Sequence, residues 1–303
     1  MIPKFPEFKH LRVSDRKDVE EHTFRYDPYS DFNFTSLWAW DTKEERMISE
    51  LNGNLVVRLT DYSTHVPFLS FLGEYDRRRT IAKLLAYSKE IGMAQILRYM
   101  PEISITDVST SSFKIEEDRD NFDYVCSIPE HAAFKGGKYK RSRNFVNTFQ
   151  REHPTAHAEI VDLANKDAQA AIISVTEKWT ENKTIRDATF HFADEHEAIH
   201  RLCRTANSHK LLVSAIFIGS TMSAFSIDEI LPNQHSICHF QKADTRKKGI
   251  TDFLVFEKSR HLETLGIEYI NLEQDLGNAG LRQSKIAYRP SRFYKKYTVK
   301  PAA

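Results

Sequence analysis

Three runs of β-branched and aromatic residues, at 211–218, 221–230 and 236–243, follow one another with only Gly219-Ser220 and Pro232-Asn233 as turns between them. Connections that short join antiparallel neighbours, so the second half of the chain must build a meander and bury it against helices. The uncharged stretch 211–227 is shorter than the roughly 20 residues a spanning helix needs. Gly219-Ser220-Thr221 also breaks it, which leaves two buried strands.

Helices are expected on either side of the meander. Segments 165–181 and 194–209 precede it, each opened by an acidic or amide residue, and the second carries Ile199, Leu202, Cys203 and Ala206 at helical spacing. A helix at 249–264, a strand at 268–273 and an extended segment at 282–299 follow. The first half runs in a similar order, with helices at 15–25 and 31–40, then strands at 45–51 and 55–59 joined across Asn52-Gly53-Asn54, a strong hairpin signal. A strand at 66–72 and a helix at 77–91 come next. Arg77-Arg78-Arg79, a helix, Gly92 and Gln95-Ile96-Leu97 echo Arg246-Lys247-Lys248, a helix, Gly266 and Tyr269-Ile270-Asn271.

A helix, three antiparallel strands, a helix starting beside a basic turn and one more strand is the order of acetyltransferase-like folds. The expected architecture is therefore α/β with mixed sheets, in two tandem GNAT-like units at 1–127 and 128–303, with a basic linker helix at about 135–152. The length of 303 residues fits two cores better than one. With 41% hydrophobic residues and only 10 Gly and 10 Pro, the chain is neither disordered nor fibrous. Its net charge of +1 points to no partner class. Residues 1–9 hold no apolar run, so neither a secretory signal nor an anchor is expected there. Cys126, Cys203 and Cys238 match no metal spacing and fit a reduced, cytoplasmic compartment.

In such a unit the free N–H groups at the start of the central helix can hold a pyrophosphate or a nucleic-acid terminus. Arg246, Lys247, Lys248 and Gly249 form the candidate phosphate loop; the plainer reading is a solvated turn.

Three segments carry a family resemblance: Tyr29-Ser30-Asp31-Phe32-Asn33-Phe34-Thr35-Ser36-Leu37-Trp38, then Lys138-Tyr139-Lys140-Arg141-Ser142-Arg143-Asn144-Phe145-Val146-Asn147-Thr148-Phe149, and Tyr269-Ile270-Asn271-Leu272-Glu273-Gln274-Asp275-Leu276-Gly277 running on through Gly280-Leu281-Arg282-Gln283-Ser284-Lys285. Together they resemble the family named after the C-terminal domain of phosphatidylglycerol lysyltransferase, over nearly the whole chain. The resemblance implies a tandem acetyltransferase-like fold related to enzymes that move an amino acid from aminoacyl-tRNA onto a lipid or peptidoglycan amine or hydroxyl. The multi-helix membrane half of the lipid lysyltransferases is missing from this sequence, which weakens phosphatidylglycerol as the acceptor. The Gly-rich coenzyme A loop is also missing, which argues against plain acetyl transfer. No tightly bound cofactor is expected. Aminoacyl-tRNA or acyl-coenzyme A is the expected donor, with a tRNA acceptor end as partner and a small molecule, lipid headgroup or peptide as acceptor.

The stretch 135–151 contains six basic residues and no acidic one. On a helix, Lys140, Asn144, Asn147 and Arg151 share one stripe beside an apolar stripe of Phe145 and Phe149, and with Lys138 and Arg143 they offer donors suited to a phosphodiester or carboxylate. An exposed basic face with no specific ligand is the plainer alternative. Residues 282–300 add seven basic residues without a carboxylate, Arg282 and Lys285 among them, with Ser284 between. Tyr288, Phe293, Tyr294 and Tyr297 either stack the bases of a tRNA end or face the core of a final strand.

Glu273 and Asp275 follow a central strand and lie on one side if extension continues, where a carboxylate can accept the proton of an incoming amine. Pairing with Arg282 or Lys285 is the competing reading. Asn271 and Gln274 are candidates to orient a carbonyl. Gln241, on the meander's third strand, joins the substrate-binding set, and Trp179 either walls an acceptor pocket or belongs to the core. His196-Glu197-Ala198-Ile199-His200 matches the HExxH of zinc proteases, a minor alternative that would make the chain a zinc hydrolase. A non-catalytic binding protein for an anionic ligand is the main alternative to a transferase.

Overall fold

The structure is a computed structural model that describes residues 1–62, 64–184 and 193–302. Two compact units make up the chain, one of residues 1–124, 273–288 and 292–303, the other of residues 125–272 and 289–291. The expected division into 1–127 and 128–303 thus needs changing at the C-terminal end. The last strand supplies the reason, because it pairs inside the first unit's sheet.

In the first unit, α1 (Arg16–Thr23) and α2 (Phe34–Ala39) lead into the sheet, which also has a short strand β1 (Lys9–His10) at its edge. Asn33 caps α2 by accepting from the Ser36 N–H at 3.0 Å. Strands β2 (Met47–Leu51) and β3 (Asn54–Thr60) form the expected hairpin, with Asn52 at φ 54° and Gly53 at φ 84° in its two-residue turn. Then come β4 (Pro67–Leu72), α3 (Arg77–Glu90), β5 (Leu97–Pro101), α4 (Glu102–Ile105) and β6 (Phe113–Glu117), and the chain returns at its end as β14 (Lys296–Pro301). The sheet order is β1-β2-β3-β4-β5-β14-β6, with β4 and β5 parallel and β14 antiparallel to both its neighbours. Ile81, Leu84, Leu85 and Ser88 form the buried face of α3 and pack on Leu69, Phe71, Leu97 and Val299.

The second unit begins within β7 (Asp123–Ser127) and continues through α5 (Ile128–Ala133), α6 (Lys140–Glu152), β8 (Ala156–Val161), α7 (Lys166–Thr184) and α8 (Ala193–Arg204). The predicted meander follows as β9 (Leu211–Ile218), β10 (Thr221–Leu231) and β11 (His235–Ala243), then α9 (Ile250–Thr264) and β12 (Tyr269–Asn271). Within this unit the strands run in the order β7-β12-β11-β10-β9-β8, and among these described pairs β11 with β12 is parallel and the others antiparallel. α5 and α6 pack on α9, with Phe134 on Phe256 at 5.7 Å and Phe149 on Phe253 at 5.0 Å between ring centres. α7 lies against β10 and β11.

The expected extended segment at 282–299 is a correction. Residues 279–287 form α10 (Ala279–Ala287), β13 (Arg292–Tyr294) follows, and β14 ends the chain. Asn278 caps α10 by accepting from the Leu281 N–H at 2.9 Å, and Pro290 stops any continuation. Three basic residues of this tail are committed to partners within the fold. Lys295 pairs with Glu117 at 2.7 Å, Arg282 with Asp120 at 2.6 Å, and Lys296 is fully buried. Tyr294 is also buried, tilted on Tyr29 at 5.4 Å, and Tyr297 packs against the α3 core.

Lys296 lies between two equally buried carboxylates, Asp31 and Asp123, the latter at 2.7 Å. Its ammonium also reaches the Ser30 hydroxyl at 3.2 Å and the Gln274 side-chain carbonyl at 3.3 Å. Burial alone would favour the neutral amine, but Asp123 and Asp31 override it and hold the ammonium's pKa above its ordinary value. Replacing Lys296 with Met leaves both carboxylates without their counter-charge, so K296M is expected to destabilise the protein by about 3–5 kcal/mol. Urea unfolding measures this, and a loss under about 1 kcal/mol contradicts the assignment.

Candidate functional site

The candidate site is in the second unit, where a parallel strand pair stops partway. β12 pairs with β11 only from His235–Tyr269 to Ile237–Asn271, while β11 runs on to Ala243 and turns through 244–249 into α9. Past Ile237, β11 has a paired neighbour only on its β10 side. The β10–β11 register slips at this level, between Ile227 and Asp228, so His239 is an extra residue in the ladder.

At that slip the side chains divide between the two faces. Facing α9, the buried Lys258 ammonium donates to Ser226 at 2.8 Å and Asp228 at 3.0 Å, with the Cys238 sulfur at 3.4 Å. Burial pushes the Cys238 thiol up to about 11, so it stays protonated at neutral pH. His239 and Glu229 form a pair at 3.3 Å with side chains essentially inaccessible to solvent. Lys242 sits 3.6 Å above the Trp179 ring and pairs with Glu195 at 2.6 Å. Sequence reasoning missed the Glu229–His239 and Lys258–Asp228 pairs. Two consecutive acids inside a strand otherwise built for burial were the available signal.

In the turn after β11, Arg246 and Lys247 are drawn onto one carboxylate. Arg246 binds Asp244 through two nitrogens at 2.8 and 2.9 Å, and Lys247 binds it at 2.6 Å. Hydrogen bonds from Arg246 hold the Asp244 carboxyl well below its usual range. Lys248 is exposed, its ammonium 5.7 Å from the centre of the Phe145 ring. The backbone N–H groups of Thr245, Lys248, Gly249 and Thr251 have no partner among the described residues. Gly249, at φ 87°, is required for a reason other than phosphate binding. A Cβ there would sit 2.3 Å from the Phe145 carbonyl oxygen of α6.

On α6, Val146 and Phe149 are buried, whereas Lys140, Asn144, Asn147 and Arg151 are exposed along one stripe, as their spacing predicts. Two neighbours drop out of the set. Lys138 is clamped on Glu130 at 2.7 and 2.8 Å, and Arg143 donates to the Phe134 and Gly136 carbonyls that end α5. Both serve local structure. Gln241 is half-buried opposite Ser226, and Asn271 is fully buried between Val125 and Ile237.

Glu273, Asp275, Arg282, Ser284 and Lys285 belong to the first unit. Asp275 is fully buried and takes Arg282 on both oxygens, at 2.8 and 2.9 Å, together with the Gly277 N–H at 2.9 Å and the Tyr124 hydroxyl. A carboxylate so occupied cannot accept a proton from substrate, which corrects the expectation of a catalytic Asp275. Gln274 is similarly engaged, accepting from Ser30 at 2.7 Å and donating to Asp31 at 3.2 Å. Glu273 is half-buried and accepts from the Ser36 hydroxyl at 3.2 Å. Ser284 is exposed and Lys285 half-buried on α10.

The HExxH motif falls on α8, with His196 and Glu197 engaged elsewhere and His200 exposed. His196 meets the Thr180 hydroxyl at 2.8 Å, and Glu197 pairs with Arg204 at 2.5 Å. No group of three or more His, Cys, Asp or Glu able to hold a metal ion occurs among the described residues.

Comparison with known proteins adds the following. A family signature described as phosphatidylglycerol lysyltransferase, C-terminal, matches residues 23–300. A conserved protein of unknown function from Bacteroides thetaiotaomicron VPI-5482 is similar in structure, with a TM-score of 0.86 at 21% identity over 100% of each chain. The C-terminal domain of a putative lysylphosphatidylglycerol synthetase from Agrobacterium fabrum gives 0.67 at 13% identity, over 96% of this chain and 93% of its own. A GNAT-family acetyltransferase from Colwellia psychrerythraea gives 0.50 at 10% identity, over 98% of this chain and 100% of its own. No curated protein matches significantly. At such identities the structural likeness establishes the fold, and the fold is the expected α/β GNAT type. Among the described residues no helix is long and apolar enough to cross a membrane.

Two results are expected. Burial alone would raise the Asp275 pKa, but Arg282, Tyr124 and the Gly277 N–H outweigh it and hold it low. Its stabilising contribution is therefore present above roughly pH 4 and lost as pH falls through the depressed value. D275N should cost about 3 kcal/mol at neutral pH and flatten the acid limb of the stability curve. An unchanged acid limb contradicts this. Equimolar zinc should leave the melting temperature unmoved; a rise that H196A abolishes would restore the zinc reading.

Proposed function

The chain belongs to the phosphatidylglycerol lysyltransferase C-terminal family, and on that basis we propose that it is an acyltransferase using an activated ester held by the second unit. The donor is an aminoacyl-tRNA, or else a thioester such as acyl-coenzyme A, and the acceptor is an amine or hydroxyl. The observation that carries this reading is the strand pair that parts at Ile237–Asn271, with β11 running on to Ala243 and a turn that has four unpartnered N–H groups among the described residues. Such groups at the start of a fifteen-residue helix attract phosphate, and exposed Lys248 adds charge. The free stripe Lys140, Asn144, Asn147 and Arg151 supports contact with a polyphosphate or RNA backbone.

In the transfer, the acceptor nitrogen or oxygen bonds to the donor carbonyl carbon and the carbon–oxygen or carbon–sulfur bond to the carrier breaks. The acceptor's proton ends on the departing carrier oxygen or sulfur. Because the ester is already activated, holding the two reactants in place supplies most of the rate. A cytoplasmic location belongs to the same reading, supported by three buried free thiols.

A second reading, a non-catalytic binder of an anionic ligand, is favoured by the sealing of Asp275 and the capture of Arg246 and Lys247 by Asp244. A panel of charged tRNAs and acyl-coenzyme A thioesters separates the two. Turnover with one donor is expected, with K248E raising the donor KM about tenfold. Saturable binding without turnover contradicts the transferase reading.

A further inference from the structure

The second unit's sheet ends in a strand left open on its outer side. β8 pairs with β9 from Ala156–Ile218 to Val161–Val213 without a bulge, and no strand among the described residues lies beyond it. Residues 157–160 are exposed, and Ile160 keeps 46% of its surface accessible. Edge strands are ordinarily guarded by a lysine, a proline or a bulge, because unpaired backbone groups invite another strand. The segment Ala156-His157-Ala158-Glu159-Ile160-Val161 has none of these, and its two polar side chains, His157 and Glu159, pair with each other at 2.8 Å.

Which backbone groups face the open edge follows from the hairpin next to it. Gly219-Ser220 is a two-residue turn with Gly219 at φ 60°, so the flanking pair Ile218–Thr221 is hydrogen-bonded. Alternation along β9 then turns Phe217, Ala215 and Val213 towards β8, onto His157, Glu159 and Val161. Ala156, Ala158 and Ile160 are left directing their N–H and C=O groups outwards. The Ala156 N–H agrees with this, since it donates to the His153 carbonyl at 2.9 Å.

An antiparallel copy of the same strand fits this pattern. With Ala158 facing the partner's Ala158, the outward groups of 156, 158 and 160 meet their counterparts, and Ala156 lies opposite the partner's Ile160. His157 then lies opposite the partner's Glu159 as a non-hydrogen-bonded pair, with Cα atoms roughly 4.5 Å apart and side chains close. Opposite charge is available there. The His157 ring nitrogens face the Thr155 carbonyl at 3.2 Å and the Glu159 carboxylate at 2.8 Å, and both hold its pKa above the ordinary value. The other face of the seam is apolar. A register slip of two residues sets His157 against His157 or Glu159 against Glu159, so charge selects the pairing centred on Ala158. We infer that β8 is a self-association surface, pairing antiparallel about Ala158 with β8 of a second copy of this chain. The proposed transfer reaction plays no part in this inference.

Sedimentation equilibrium of the full chain from about 1 to about 100 μM tests it, a range suited to an interface as small as one strand pair. A concentration-dependent dimer is expected. E159K sets like charges across the seam twice per dimer and should raise the dimer Kd about tenfold. The exchange H157E/E159K restores opposite charges in the same register and should return Kd to within about threefold of the starting value. Both positions are exposed, so neither variant should alter folding, which circular dichroism checks. A wild-type chain that stays monomeric at about 100 μM overturns the inference. So does a dimer indifferent to E159K, which would associate through another face. A double variant as weak as E159K overturns the register and with it the assignment of β8.

Discussion

A single ammonium group holds three distant parts of the first unit together. Lys296 reaches Asp31 across 265 positions of sequence and Asp123 across 173, in a place without solvent. Asp31 and Ser30 in turn hold Gln274. Burying one positive and two negative groups is costly unless each proton and lone pair is used, and here every donor of the ammonium is directed at an oxygen. The nearby Arg46 guanidinium, against the Tyr62 ring at 5.7 Å, adds the second positive charge the cluster needs. The segment 273–275, promising as sequence, is thereby committed to structure at two of its three positions.

Duplicated folds can diverge at the site while keeping the scaffold, and the two sheets illustrate how. Both contain a hairpin-linked strand set, a parallel neighbour and a helix that follows the strand at the junction. In one, Ser104 and Asn54 accept from the Gly73 and Tyr75 N–H groups before α3, and a four-residue helix follows β5. The other surrounds its register slip with paired, buried Glu229–His239 and Lys258–Asp228. Buried polar pairs are costly to desolvate, so here as around Lys296 each charged group is held by a partner.

Much of the architecture was legible because it follows from local rules. Asn52-Gly53 specifies its turn, the meander declares its strands by composition, and the exposed and buried sides of α6 follow from helical spacing. What could not be read were effects of distance. Lys295 and Lys296 are indistinguishable as sequence, yet one is paired at the surface and the other is in the core. Asp275 resembled a base until Arg282 and Tyr124 were seen to enclose it. The α10 helix was legible in principle from Asn278 and Pro290. Gly249 looked like a phosphate-loop glycine, whereas the approach of α6 is what demands it.

The central claim is that an activated, phosphate-bearing donor is held by the second unit. A crystal structure with coenzyme A, or with a short RNA carrying a non-hydrolysable aminoacyl end, tests it most directly. The account predicts donor phosphates on the N–H groups of Lys248, Gly249 and Thr251. Phosphates bound to the turn before α3, or elsewhere without contact to 245–251, would contradict it.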